Sequence, residues 1–136
     1  MALDHDEKPS QPLAKFESML KTDDIYFFDA EDFEDIIHFY LNHGKIALAK
    51  KAIKIGLLQH PDSIELKLLN VEVLVFENKL EIAERMLDDL EFLDASNEEI
   101  YIQRANIYSK KDNHEAAVAL LNKALDLTDD GFDIHS

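Results

Sequence analysis

Apolar residues recur three and four positions apart along most of this chain, as in Phe33, Ile36, Ile37 and Tyr40, and again in Leu87, Leu90 and Leu93. That spacing lines one face of an α-helix. Polar, turn-forming residues interrupt the pattern at short and regular distances. The pattern predicts three pairs of antiparallel helices, over 30–43 and 45–59, 63–77 and 79–93, and 97–110 and 113–127. Val71–Phe76, read alone, has the composition of a strand, but the segments aligned with it on either side have helical spacing. Gly and Pro number three each, too few for the many turns of a sheet fold, which favours long helices with short connections.

Three independent features recur at one constant interval: Ala49, Ala83 and Ala117; Gly44, Asn78 and Asp112; and Asp62, Ser96 and Asp130. The second set suits a helix-to-helix turn. Each member of the third set is followed three residues later by an acid (Glu65, Glu99 and Asp133), the pattern of a capped helix start. Gly56 is the anomaly, because it sits inside a predicted helix where glycine costs roughly 1 kcal/mol against alanine. Pro61 then stops that helix, and Asp62 or Ser63 starts the next one.

The ends differ from the repeats. Residues 1–12 are polar with two prolines and are expected to be disordered. Leu13, Phe16, Met19 and Leu20 predict a short amphipathic helix, broken at Thr22–Asp24, and the apolar run Ile25–Phe28 is expected to be buried against the first helix pair. Residues 13–29 thus read as an N-terminal cap, which stacked repeats need because an end repeat exposes an apolar face. Residues 132–136 read as the start of a further repeat or a tail, and the chain as a fragment of a longer repeat protein or as one that completes its stack with another molecule.

Charge and chemistry narrow the function. The chain of 136 residues carries a net charge of −15, spread along its length, which repels phosphate backbones and argues against nucleic-acid binding. Its one basic stretch, Lys45, Lys50, Lys51 and Lys54, has the spacing of a solvated helix face. Cysteine is absent, and neither a signal-peptide pattern nor a run long enough to span a membrane occurs, so the expectation is a cytoplasmic protein without membrane contact. No two of the six histidines stand at the spacing that places two metal ligands on one helix face. Asp126–Gly131 resembles the opening of a calcium-binding loop, but Asp133 occupies its usual apolar position and its twelfth position falls past Ser136. The repeat register predicts a helix end and capped turn there instead. Carboxylate pairs such as Glu81 and Glu84 are inevitable at this density, and nothing predicts the enclosed pocket that acid–base catalysis needs. No catalytic residue, metal or cofactor is expected.

The repeating unit, about 34 residues long, resembles the tetratricopeptide repeat family. Residues 30–63 match its pattern with Phe33, Ile36, Ile37, Tyr40, Gly44, Ala49, Ile53, Gly56 and Pro61. Residues 98–131 match with Tyr101, Ala105, Tyr108, Ala117, Leu121 and Ala124. Residues 64–97 keep Val71, Leu74, Ala83 and Leu87 but depart from it at Lys67, Leu90 and Ala95. The resemblance implies an all-α fold, a right-handed α-solenoid of about three helix-turn-helix repeats behind an N-terminal capping helix. It also explains Gly56, since the second helix of each repeat packs closely at that position and at Ala49.

The same resemblance implies a protein–protein interaction scaffold whose first helices line a concave groove. The residues expected to bind a partner are Glu34, His38, Glu65, Leu68, Glu72, Phe76, Ile102 and Asn106. Asn106 and Lys110 alone resemble the basic clamp that some members use for acidic peptides, and Glu34, Glu65 and Glu72 oppose it. The expected partner is a protein or peptide with basic and apolar residues. The alternative is a capping or self-association module, forming a homodimer through Leu121, Leu125 and Phe132.

Overall fold

The computed structural model describes residues 10–132, with side chains described through residue 128. Seven helices and no strand occur among the described residues: α1 (Gln11–Thr22), α2 (Ala30–Asn42), α3 (Ile46–Gln59), α4 (Ile64–Phe76), α5 (Leu80–Leu93), α6 (Glu98–Lys110) and α7 (His114–Phe132). Helices α2, α4 and α6 begin at equal intervals along the chain, and α3, α5 and α7 begin at the same interval. Two compact units are present, an N-terminal one ending at Leu66 and a C-terminal one beginning at Lys67.

One turn, used three times, closes each hairpin. Gly44, Asn78 and Asp112 adopt left-handed backbone, with φ of 70°, 64° and 62°. In each case the next residue donates its N–H five residues back, from Lys45 to Tyr40, Lys79 to Leu74 and Asn113 to Tyr108, at 2.8, 2.8 and 2.9 Å. This arrangement satisfies carbonyls that the ending helix would otherwise leave open.

In the N-terminal unit, α1 packs on α2 and α2 on α3. Phe16 of α1 sits among Phe28, Phe33 and Tyr40, with ring centroids 6.1–6.3 Å away. The Tyr40 hydroxyl donates to Glu17 at 2.8 Å, tying the cap helix to the hairpin. Ser10 caps α1 by accepting from the Leu13 N–H at 3.1 Å, and Pro12 lies in the first turn. Residues 10–12 are therefore ordered helix start rather than disordered chain, while residues 1–9 lie outside the described residues.

Only Phe28 of the run Ile25–Phe28 is buried, at 5% exposure, whereas Ile25 and Phe27 are 86% and 71% exposed. The expectation that the whole run is buried is corrected. The segment is not helical, and its successive side chains alternate between the core and solvent.

In the C-terminal unit, α6 packs on α7 and α5 on α6. Ala83, Ala105 and Ala117 are all buried there. Arg104 of α6 reaches Asp88 and Glu91 of α5 at 2.8 and 3.0 Å, and the Tyr101 hydroxyl lies 3.0 Å from Glu91 and 2.9 Å from the Ala95 carbonyl.

Two further expectations need correction. Of the two candidates at the start of α4, Ser63 rather than Asp62 caps it by accepting from Leu66 N–H, and α6 is capped by Asn97, which accepts from Glu99 N–H one residue after Ser96. Helix α7 also runs on to Phe132, so Asp126–Gly131 is helical and neither a capped turn nor a calcium loop. The proline that stops α3 at Pro61 has Asp129 as its counterpart here, and Thr128 returns its hydroxyl to the Ala124 carbonyl at 3.1 Å without disturbing the helix.

Candidate functional site

Helical spacing decides which of the expected partner-binding residues share a face. In the N-terminal unit, Glu34 and His38 lie four residues apart on α2, and Glu65 lies in the first turn of α4. Glu34 is half-buried, while His38 and Glu65 are exposed. The Glu34 carboxyl is held above its ordinary value by burial first, then by the negative charges of Glu65 and Glu31, with His38 partly offsetting them. Glu34 and Glu65, on different helices and distant in sequence, thus come within electrostatic reach.

In the C-terminal unit, Leu68, Glu72 and Phe76 follow one another at four-residue steps along α4. They differ sharply in access. Leu68 and its neighbour Val75 are buried, Glu72 is exposed, and Phe76 is 65% exposed. Leu68 therefore packs beneath the face rather than presenting itself to a partner. Ile102 and Asn106 are one turn apart on α6, the first half-buried and the second exposed.

Further strongly exposed apolar side chains lie outside the expected set. Phe92 is 91% exposed, Leu93 62% and Leu58 75%, all at the ends of second helices. Leu58 and Phe92 occupy equivalent places in successive repeats, and that shared register is the signal by which the sequence could have singled them out. Lys45, Lys50, Lys51 and Lys54 are exposed, consistent with a solvated face.

Among the described residues, no group of three His, Cys, Asp or Glu side chains is placed to hold a metal ion, and no helix is long and apolar enough to cross a membrane. The helical backbone of Asp126–Gly131 is not the loop that a calcium site of that pattern requires.

These features define a protein of repeated helical hairpins, each closed by the same left-handed turn at a constant period. The family model described as tetratricopeptide repeat matches residues 98–130, which form α6 and most of α7. Residues 98–130 are thus similar to the tetratricopeptide repeat family, and the helical hairpins before them recur at the same interval. No curated protein matches it. Tetratricopeptide repeats generally serve as protein–protein interaction scaffolds and are typically non-catalytic.

Proposed function

We propose that this chain is a non-catalytic scaffold that takes a basic, partly apolar peptide or helix on the faces of its first helices. Residues 30–63, 64–97 and 98–131 serve as its repeats. The observation that carries the reading is the state of Glu34, a half-buried carboxyl raised by burial, Glu65 and Glu31. A lysine or arginine docking there would relieve that repulsion, so the face favours cations. In the C-terminal unit, exposed Phe76 and half-buried Ile102 offer apolar contact beside Glu72 and Asn106. Glu34 and Glu65 on the one face, and Glu72 on the other, are the residues to reverse. Replacement of each by Lys, with helical circular dichroism unchanged, is expected to abolish capture of an amphipathic basic peptide. Undiminished capture would reject the proposal.

A second reading, a capping or self-association module, is favoured by α7. Val118, Leu121 and Leu125 are 55%, 47% and 56% exposed at spacings that place them on one side of the helix. The Phe132 side chain, also expected at this interface, lies outside the described residues. Light scattering that finds a dimer dispersed by Leu125→Glu would support this reading, and a monomer would count against it.

A further inference from the structure

Between α1 and α2 the chain leaves a backbone edge open. Asp23 ends α1 in left-handed conformation, and the chain then runs without helix or turn to the Asp29 cap of α2. Alternate residues of this stretch are tied down. The Gln59 side-chain amide donates to the Tyr26 carbonyl at 2.8 Å and accepts from the Phe28 N–H at 3.0 Å. His60 Nε2 donates to the Phe28 carbonyl at 2.6 Å, and the Tyr26 N–H meets the Met19 sulfur at 3.3 Å. This is the two-residue period of a strand paired along one edge, with side chains from α3 and its C-terminal cap in the place of a neighbouring strand.

The intervening residues leave their backbone groups open, although the Phe27 ring lies 5.6 Å from that of His60. Neither N–H nor C=O of Ile25 or Phe27 has a hydrogen-bond partner among the described residues, and both side chains stand in solvent. In a strand those groups point away from the edge that Gln59 occupies. Unpaired strand edges are templates for a further strand.

The surroundings choose the occupant. Phe27 also lines a cleft of about 600 Å³, with Pro12 and Lys15 on one side and Asp29 and Asp32 on the other. The Lys15 ammonium stands over the Tyr26 and Phe28 rings, 5.2 and 5.7 Å from their centroids. The carboxylates of Asp29 and Asp32 form no ion pair among the described residues, and Asp23 and Asp24 flank the stretch at its other end. A second copy pairing antiparallel, with Ile25 opposite Phe27, would set Asp23 against Asp29 of its partner at both ends, like charge against like.

We propose that Ile25–Phe27 is a docking edge for an extended segment of a partner protein, one that alternates apolar residues, placed against Ile25 and Phe27, with lysine or arginine at the Asp29 and Asp32 cleft. The edge is separate from the first-helix faces, and its test separates the two. Fluorescence anisotropy with a labelled heptapeptide alternating valine and lysine should show saturable binding to the full chain. Phe27→Pro removes the open N–H and the ring contact with His60 but no internal hydrogen bond, and should weaken binding about tenfold or more at unchanged helicity. Glu34→Lys with Glu72→Lys should leave much of the binding in place. Amide exchange on the unsubstituted chain supplies a second readout, with Ile25 and Phe27 N–H becoming protected when the peptide binds. No binding, unaltered binding by the proline variant, or absence of that protection would overturn the proposal. So would a dimer of the chain that the proline variant disperses, because the edge would then serve a second copy.

Discussion

Gly56 of α3 lies against Phe33 of α2 so closely that a β-carbon on the glycine would stand 3.1 Å from Phe33 Cγ, and 3.2 Å from Leu66 Cδ1 of α4. Phe33 is itself held by Phe16 and Phe28, so the ring has little room to withdraw. The helix-propensity penalty of a mid-helix glycine is accepted for close helix packing. Gly56→Leu is expected to lower stability by roughly 1–3 kcal/mol through overpacking, read by thermal unfolding. Gly56→Ala should cost less, because the propensity gained offsets part of the clash.

Gly44 is small for a different reason. Nothing lies within 4 Å of where its β-carbon would be, yet its φ is +70°. The requirement is conformational alone, so Gly44→Ala should cost about 1–2 kcal/mol although it touches nothing. Asp112 holds the equivalent turn at φ 62° with a β-carbon in place, and Asp112→Gly should stabilise by about 1 kcal/mol or less. Equal melting temperatures for both variants and the unsubstituted chain would refute this account of the turn.

Gln103 is 3% exposed, and its Oε1 is buried without a hydrogen-bond partner among the described residues, while its amide nitrogen donates to Glu99 at 2.9 Å. The equivalent position one repeat earlier holds buried Leu69. An unsatisfied buried acceptor costs about 1–3 kcal/mol, which outweighs a single ordinary hydrogen bond. Gln103→Leu should therefore raise the melting temperature, as differential scanning calorimetry would record. A fall would show that the Glu99 bond matters more than the orphaned oxygen.

Glu34 makes a pH-dependent prediction. Its carboxyl titrates above the ordinary glutamate value in the folded chain, through burial and the charges of Glu65 and Glu31. The folded state thus holds this proton more tightly than the unfolded state, and stability falls as pH rises through that interval. Glu34→Gln should be more stable than the unsubstituted chain at pH 7, with the gain fading as the pH drops below the ordinary glutamate range. Paired thermal melts across that range would check it. A gain independent of pH would exclude the electrostatic cause.

The helices and their order are legible in the amino-acid pattern, because amphipathic spacing and turn chemistry are local properties and a constant offset repeats them. Helix starts at Ala30, Ile64 and Glu98 follow from that offset, as do the left-handed turns at Gly44, Asn78 and Asp112. That pattern left Asp62 and Ser63 open as the cap of α4, placed the cap of α6 one residue early and ended α7 too soon, since neighbouring polar residues compete for a cap and no local signal showed α7 running past 127.

Access and partnership are set by the packing of helices distant in sequence. Leu68 and Phe76 are both apolar and on one side of α4, yet one is buried and the other exposed. Phe27 and Phe28 are identical neighbours in sequence, and Gln59 and His60, a full hairpin further along the chain, fix which of the two turns inward. Periodicity records which residues share a face. Whether that face meets another element, a charge or water depends on segments distant in sequence, and no local pattern encodes that.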